Sequence, residues 1–314
     1  MNKTDKIYVA GHRGLVGSAI VRTLQNKGYK NLILQTRQEL DLCRQDRVEA
    51  FFQKQKPDYV FLAAAKVGGI WANSTYKAQF IYDNLMISAN VIQAAYKYEV
   101  KKLLNLGSSC IYPKLAPQPL KEEYLLTDSL ETTNEPYAIA KIAAIKLCRY
   151  FNEQYETNFI SAMPTNLYGP NDNFDPMTSH VLPGVIRKIH EAKMENNDVK
   201  LWGTGSPKRE FLYVDDAADA LVFLMENYDQ SQIGEFINLG TGQDISIRDL
   251  ASLIADIIRF DGQIEWDTRK PDGTPRKLLD VSRLATLGWQ AKTSLEEGIR
   301  KTYDWFIRNL VTAT

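Results

Sequence analysis

Tyr137 and Lys141 are the two residues of this sequence whose chemistry and spacing most directly indicate catalysis. They lie four positions apart in the stretch from Asn134 to Cys148, which is rich in alanine and isoleucine and is predicted to be helical. Residues four apart lie on the same helix face, so the lysine ammonium should stand beside the phenol. That cation should lower the phenol pKa from its usual value of about 10 toward neutrality. Tyr137 is therefore a candidate general acid that protonates an oxygen while hydride reaches the attached carbon.

Two further reactive side chains, Ser108 and Cys110, follow the predicted strand Lys102–Leu106. In a parallel sheet the carboxyl ends of the strands form the crevice where ligands react. Side chains of an extended chain alternate between its two faces, so these two, which are two positions apart, could point to the same face. Spacing alone does not exclude that Ser108 and Cys110 simply belong to an ordinary turn. It also does not exclude that Tyr137 and Lys141 are an ordinary surface pair.

A glycine-rich loop near the N-terminus predicts a dinucleotide-binding site. The apolar run Ile7–Ala10 is interpreted as a buried strand, and an amphipathic helix follows the loop. Between them lie Gly11, Gly14 and Gly17, spaced Gly-x-x-Gly-x-x-Gly rather than the commoner Gly-x-Gly-x-x-Gly. Such glycines let the backbone approach a pyrophosphate at the helix N-terminus, where free N–H groups favour an anion.

The end of the predicted second strand, Asn31–Gln35, favours NADP over NAD. NAD sites usually place an acidic residue at this point to bind the ribose 2′-hydroxyl. This chain has Arg37 instead, with Arg13 in the glycine loop, and two guanidinium groups suit a 2′-phosphate. The alternative is that both arginines are merely solvated.

Composition excludes several classes of protein. The 314 residues include 38 lysines and arginines and 38 aspartates and glutamates, so the net charge gives no indication of nucleic acid as a partner. Three scattered cysteines argue against a disulfide framework, and with only three histidines besides we expect no structural zinc site. There is no signal-peptide pattern and no apolar run long enough to cross a bilayer. We expect a soluble protein of the reducing cytoplasm.

Predicted strands and helices alternate to about residue 168, which is typical of an α/β fold built on a Rossmann-type doubly wound parallel sheet. Residues 1–168 are expected to form an NADP-binding domain, with a segment near 212–240 returning to it. Residues 169–314 are expected to form mainly a smaller mixed α/β substrate domain. Within it, Val214–Asp216 should cap a helix, with aspartate at its N-terminus.

Taken together, these residues resemble the extended short-chain dehydrogenase/reductase family. The resemblance covers essentially the whole chain, in the stretches Gly11–Gly17, Ala63–Gly69, Gly107–Pro113, Asn134–Lys141, Pro164–Pro170, Arg209–Asp216, Asn238–Gly240 and Pro271–Lys277. Members act mostly on nucleotide-linked sugars. Within the family, the stretches are most similar to the GDP-sugar epimerase-reductases, which invert C3 and C5 of a 4-keto sugar and then reduce C4 with NADPH. The resemblance thus implies an NADP-dependent oxidoreductase with isomerase activity.

The resemblance implies five catalytic residues. Ser108 would hydrogen-bond the sugar oxygen, Tyr137 would protonate it, and Lys141 would tune Tyr137 and hold the nicotinamide ribose. Cys110 would be the base and His180 the acid of the epimerisation, with the thiol pKa lowered by a protonated imidazole. Without the resemblance, a buried structural cysteine and a helix-capping histidine would be the preferred interpretations.

The resemblance also implies binding residues and an assembly. NADP(H) contacts are expected at Gly11, His12, Arg13, Gly14, Leu15, Val16, Gly17, Arg37, Asp41, Ala64, Lys141, Pro164, Asn166, Leu167 and His180. Contacts to the GDP-sugar are expected at Arg187, Trp202, Arg209 and Asp272. No metal, nucleic acid or membrane partner is expected. The implied assembly is a homodimer formed by the helices Ala78–Tyr98 and Pro136–Tyr155, with Ile81, Leu85 and Ile92 in the seam.

Three alternatives stay open. An epimerase-reductase for a 3-deoxy GDP-sugar would invert only C5 and carry nearly identical motifs. A plain nucleotide-sugar 4-epimerase would keep NAD bound and would need neither Cys110 nor His180. A non-catalytic NADP-sensing protein would be favoured by a broken Tyr–Lys pair, which is intact here.

Overall fold

A computed structural model describes residues 1–270 and 272–311; Pro271, within one of the stretches that carry the family resemblance, lies outside them. The strands of the described part are β1 (Ile7–Ala10), β2 (Leu32–Ile33), β3 (Tyr59–Leu62), β4 (Lys102–Leu106), β5 (Phe159–Pro164), β6 (Asn166–Tyr168), β7 (Val199–Trp202), β8 (Lys208–Tyr213), β9 (Ile237–Leu239), β10 (Asp244–Ser246), β11 (Ile264–Asp267) and β12 (Arg276–Lys277).

Helices connect most of these strands. They are α1 (Leu15–Asn26), α2 (Gln45–Gln55), α3 (Ile70–Thr75), α4 (Lys77–Lys97), α5 (Glu135–Tyr155), α6 (Val181–Glu195), α7 (Val214–Asn227), α8 (Gln230–Ile233), α9 (Ile247–Ile258), α10 (Ser282–Thr286) and α11 (Leu295–Phe306). Among the described residues, no helix combines the length and the apolar character needed to cross a membrane.

Six of the strands form a central parallel sheet in the order β2-β1-β3-β4-β5-β9. Every residue of β1, β4 and β5 is buried, as expected for strands covered on both faces. Helices α1 and α7 pack together on one face, where Leu24 and Leu221 are fully buried. Helices α2, α4 and α5 cover the other face, around Phe52 and Ala144. The Rossmann-type doubly wound sheet predicted from the sequence is confirmed.

The chain beyond β6 builds smaller sheets around β8. Strand β8 pairs with β6, β10 and β12, while β7 pairs with β11. Helices α6, α9 and α11 bury a separate apolar cluster against β7 and β8 that includes Ile186, Ile254 and Ile299. Strand β9 instead returns to pair with β5 in the central sheet.

One helix start and one packing face differ from expectation. Asp215 and Asp216 lie in the first turn of α7, but neither caps it, because the N-cap residue is Tyr213 and has no side-chain capping bond. The Asp216 carboxylate instead accepts hydrogen bonds from the backbone N–H groups of residues 292 and 293. Ile92, expected in a dimer seam, is fully buried inside the chain because it faces the central sheet.

Candidate active site

A cavity of about 750 Å³ lies along the edge where β1, β2, β3, β4 and β5 end. The strands direct their following loops to this edge, as in other open parallel sheets. All the residues predicted to contact NADP(H) line the cavity: Gly11, His12, Arg13, Gly14, Leu15, Val16, Gly17, Arg37, Asp41, Ala64, Lys141, Pro164, Asn166, Leu167 and His180. Ser108 and Tyr137 also line it.

The glycine loop fits a pyrophosphate. Gly11 has φ +83°, and a Cβ there would lie 2.8 Å from the Ala64 backbone. A Cβ on Gly17 would lie 2.1 Å from the Gly11 carbonyl oxygen, so the loop and α1 approach as closely as only glycine permits. Gly14 is the N-cap of α1 and brings no side chain to its first N–H groups. These N–H groups remain available to an anion.

The far end of the cavity carries the two predicted arginines. Arg13 and Arg37 are both exposed on its wall. The loop that carries Arg37 is braced by Glu39, whose carboxylate accepts hydrogen bonds from the Thr36 N–H and hydroxyl, each at 2.8 Å. Two guanidinium groups fit a 2′-phosphate, so the residues present here fit NADP(H).

Ser108, Tyr137 and Lys141 come together beside this cavity. The Ser108 side chain lies close enough to the Tyr137 phenol to lower its pKa, and the Tyr137 ring packs edge-on against Phe80 with centroids 6.4 Å apart. The buried Lys141 ammonium donates to the Leu106 carbonyl oxygen at 2.7 Å and lies 5.8 Å from the Tyr137 ring centroid. Strand β4 thus holds both the serine and the lysine in place.

The expected lowering of the Tyr137 pKa is wrong for this structure. Burial raises the pKa of the Tyr137 phenol, the nearby Cys110 raises it further, and only the Ser108 hydrogen bond opposes them. The Lys141 ammonium is turned toward the Leu106 carbonyl. Burial also lowers the pKa of Lys141 to about 8.

Cys110 lies behind the cavity wall in the short 3-10 turn after β4, with 6% of its surface exposed. Its backbone N–H donates to the Ser108 hydroxyl at 3.4 Å. Burial raises the pKa of the thiol, while the Ser108 hydrogen bond and the cations Lys277 and Lys141 lower it. The thiol therefore belongs to the same cluster as Tyr137 and Lys141.

His180 lies at the N-cap of α6 and lines the cavity with an exposed side chain. Its side chain makes no capping bond, which argues against a purely helix-capping role. The walls around the imidazole partly remove it from water, and this lowers its pKa. The cations that lower the pKa of the Cys110 thiol in this structure are Lys277 and Lys141.

The residues predicted to contact a GDP-sugar lie outside the large cavity, and three of them gather at the turn between β7 and β8. Asp272 accepts hydrogen bonds from the Thr204 N–H and hydroxyl, and its charge acts on the half-buried Arg209. Trp202 is 56% exposed. On α6, Arg187 is bound instead to the Glu191 carboxylate at 2.6 Å.

A comparison with family models assigns the chain. The model described as the NAD dependent epimerase/dehydratase family matches residues 7–240. The chain belongs to this epimerase/dehydratase family. The matched range contains the glycine loop, Ser108, Cys110, the Tyr137 helix and His180.

Individual members of the epimerase/dehydratase family are similar over nearly the full chain. GDP-L-fucose synthase 1 of Arabidopsis thaliana is 60% identical over 310 residues, covering 98% of this chain and 95% of that protein. GDP-L-colitose synthase of Yersinia pseudotuberculosis is 40% identical over 304 residues, covering 96% of this chain and 98% of that protein. Among solved structures, a GDP-L-fucose synthetase from Naegleria fowleri bound to NADP has 33% identity and a TM-score of 0.92, covering 99% of this chain and 95% of that one.

Three lysines near the candidate site were not predicted from the sequence. Lys188 and Lys270 place their ammonium groups 5.1 and 5.2 Å from the Trp202 ring centroid. Lys277 interacts electrostatically with Cys110. Of the three, only Lys277 lies in a stretch that carries the family resemblance, Pro271–Lys277. Nothing in that stretch predicted which residues would lie near its side chain.

Proposed function

We propose that the chain catalyses the NADPH-dependent 3,5-epimerisation and 4-reduction of GDP-4-keto-6-deoxy-D-mannose to GDP-L-fucose. The Arabidopsis relative named for this activity is considerably more similar to the chain than the colitose synthase from Yersinia. The Naegleria structure bound to NADP supports the cofactor, as do Arg13 and Arg37 on the cavity wall.

The observation that carries the proposal is the position of the Cys110 thiol within the cluster of Ser108, Tyr137 and Lys141. Protonating a reduced carbonyl needs only a general acid and its supports. A buried thiol beside them supplies a second group that can hold or release a proton. Two proton-transferring groups at one site suit a reaction that both epimerises and reduces.

Cys110 and His180 are the groups we assign to epimerisation. The 4-keto group acidifies the hydrogens on C3 and C5. The Cys110 thiolate takes such a proton and becomes a thiol, while the electron pair of the C–H bond moves into an enolate on the C4 oxygen. The protonated imidazole of His180 then gives its proton to the opposite face of the carbon, and the enolate returns to the ketone. Both groups recover their protonation states by exchange with solvent.

Ser108, Tyr137 and Lys141 are the groups we assign to reduction. When bound, NADPH supplies the hydride that reduces C4. Tyr137 gives its proton to the resulting oxyanion, and Ser108 donates a hydrogen bond to the same oxygen. Lys141 holds the nicotinamide ribose, which suits its fixed position beside the Leu106 carbonyl.

We assign the two ligands to different parts of the chain. Residues 1–168, with the returning segment near 212–240, would form the cofactor domain, because the cavity lies at the edge of its sheet. Residues 169–314 would mainly bind the GDP-sugar through Arg187, Trp202, Arg209 and Asp272. The fork of Arg209 suits two diphosphate oxygens, and its present partner is a backbone carbonyl at 2.7 Å.

We further infer a homodimer that forms through α4 and α5. Apolar side chains stay exposed along these two neighbouring helices: Tyr82 is 60%, Ile139 41% and Tyr150 54% exposed. Ile81 and Leu85 are half-buried and can contribute at the margin. A surface of this kind commonly marks a protein interface.

The cytoplasm is the compartment we propose for this activity. Cys43, Cys110 and Cys148 are all free cysteines. The mechanism needs Cys110 as a free thiol, and a reducing compartment keeps thiols in that state.

The test is one reaction in deuterated water with GDP-4-keto-6-deoxy-D-mannose and NADPH, followed by NMR of the product. We expect deuterium at both C3 and C5, with NADPH consumed. Label without NADPH consumption would remove the reductase half of the proposal. Absence of turnover, together with activity on the 3-deoxy GDP-sugar, would replace it by colitose synthesis. Tight NADPH binding with no turnover of either sugar would favour an NADP-sensing protein.

A further inference from the structure

The loop that ends in His180 packs directly against a pair of glycines between β3 and α3. A Cβ on Gly69 would lie 2.7 Å from the Ser179 carbonyl oxygen, so the two loops approach more closely than any larger residue permits. The Gly69 N–H also donates to the Thr178 carbonyl oxygen at 2.9 Å. The backbone that carries His180 is therefore held by a loop of the cofactor side.

Asn73 holds these glycines in place. Its buried side-chain amide donates to the Gly68 carbonyl oxygen at 2.6 Å and to that of Gly69 at 3.1 Å. Its own Oδ1 is buried without a hydrogen-bond partner in residues 1–270 and 272–311. Leaving a buried acceptor unpaired costs free energy, so the two donor bonds are what keeps this side chain in its position.

The same pair of glycines also contacts the support of the reduction site. A Cβ on Gly68 would lie 3.3 Å from the ring of Phe80, and that ring packs edge-on against Tyr137. Gly68, Tyr137 and His180 all line the cofactor cavity. The two glycines thus connect the residue that supports the proposed reductive acid with the loop that carries the proposed acid of epimerisation.

We propose that Gly69 is a positioning residue that sets the place of His180 for the second proton transfer of epimerisation. This inference rests on the proposed function and deepens it. With His180 in place, the enolate receives its new proton on the face opposite Cys110, and the carbon is inverted. With His180 displaced, the Cys110 thiol returns a proton to the face from which it was taken. The thiolate forms again, and the carbon keeps its configuration.

The variant Gly69→Ala tests this with GDP-4-keto-6-deoxy-D-mannose in deuterated water, with NADP+ in place of NADPH so that reduction does not follow. An ordinary contact of 3.4 Å in place of 2.7 Å requires the Ser179 carbonyl to move by about 0.7 Å. Because misplacing a catalytic group by about 1 Å can slow a reaction roughly 10²-fold, we expect inversion at C3 and C5 to slow by at least roughly tenfold. Deuterium should still enter with retained configuration, and NMR of the sugar measures both products.

The ratio of retained label to inversion distinguishes positioning from a general loss of structure. It should rise in Gly69→Ala. Inversion at the wild-type rate, or an equal loss of exchange and inversion in a variant with a normal melting curve, would overturn the proposal. If Gly69→Ala does not fold, Asn73→Ala replaces it, because it removes both donor bonds to the glycines. An unchanged ratio in Asn73→Ala would then count against the proposal in the same way.

Gly184→Ala is the matched control. A Cβ on Gly184 would meet the same serine, but at the Ser179 hydroxyl oxygen, 2.9 Å away. The hydroxyl can rotate to another staggered position while the carbonyl stays in place. We therefore expect the wild-type ratio, and a ratio that rose as much as in Gly69→Ala would show that the Gly69 contact is not specific and would reject the proposal.

The NMR signals of the histidine rings supply a readout without the sugar. The chain has three histidines, so the signal of His180 in the NADP+ complex can be assigned with His180→Gln. In Gly69→Ala this signal should move, while that of His190, which is hydrogen-bonded to Tyr303, should not. A signal of His180 that stays in place would overturn the proposal. A signal that moves, together with a wild type that does not turn over the sugar, would reject the proposed function and leave the placement of His180 by Gly69 supported.

Discussion

At the scale of single residues, the raised pKa of Tyr137 suits its proposed role. A general acid must carry its proton when the oxyanion forms, and burial keeps the phenol protonated at neutral pH. Lys141 has its pKa lowered to about 8, so it is mostly charged at neutral pH and remains able to bind the ribose hydroxyls. The pair therefore works by holding a proton in place rather than by forming a phenolate in advance.

Replacing Tyr137 by phenylalanine separates the two half-reactions. We expect Tyr137→Phe to reduce the sugar at least roughly 10²-fold more slowly, because the proton donor to the C4 oxygen is lost. Deuterium should still enter the sugar, since Cys110 and His180 are unchanged. NADPH absorbance follows the reduction and NMR follows the exchange. Reduction at the wild-type rate would exclude Tyr137 as the acid.

Residue spacing predicted which residues form the site, but it did not predict their charge states. The glycine loop and the Tyr137–Lys141 pair are local patterns, and the structure lines one cavity with them. The electrostatic effect of Lys277 on the Cys110 pKa could not be predicted, because Lys277 is far from Cys110 in the sequence and is placed by the pairing of β12 with β8. Burial, which dominates the Tyr137 and Cys110 pKa values, is likewise a property of the folded chain.

At the scale of elements, a buried lysine fixes the end of α7 against the central sheet. Lys102 opens β4 and is 4% exposed. Its ammonium donates to the carbonyl oxygens of Leu224 and Met225 in the last turn of the helix and to that of the C-cap residue Tyr228. A cation at a helix C-terminus also complements the helix dipole.

Removing this ammonium should destabilise the protein. We expect Lys102→Met to cost about 2 kcal/mol of unfolding free energy, because buried carbonyl groups lose their donor. The neighbouring Lys101, whose side chain is 54% exposed in its ion pair with Asp58, is the matched control. Its replacement by methionine should cost at most about 1 kcal/mol. Urea unfolding of both variants measures the difference, and equal losses would contradict the capping role.

The first and last residues of long helices and strands could be predicted closely from the sequence. Which face of a helix is buried was predicted less reliably. Helix α4 was expected at Ala78–Tyr98 and runs Lys77–Lys97, and β4 has the expected bounds. Strand β2 is shorter than the expected Asn31–Gln35. Ile92 was assigned to the wrong face of α4, because a helix that packs on both a sheet and a neighbouring helix is apolar on more than one side.

At the scale of the whole molecule, Glu210 joins the cofactor side to the candidate sugar site. This fully buried carboxylate accepts hydrogen bonds from the N–H groups of Thr241, Gly242 and Leu279. Its backbone carbonyl accepts a hydrogen bond from the Asn166 amide, which lines the cofactor cavity. The segment that carries Lys277 is therefore anchored to the same strand as the cavity wall.

Assembly is the last property to test at this scale. A glutamate in place of Tyr82 or Tyr150 would put a charge on the exposed apolar surface of α4 and α5, where a partner would have to bury it. We expect the double variant Tyr82→Glu, Tyr150→Glu to sediment as a monomer, and the wild type as a dimer, at micromolar concentration. Leu115→Glu is the control, since Leu115 is 77% exposed and belongs to neither helix. A monomeric wild type would contradict the dimer, and a double variant that stays dimeric would place the interface elsewhere.

Retained NADPH binding by the monomer would show that the cofactor site is complete within one chain, as the cavity lining indicates.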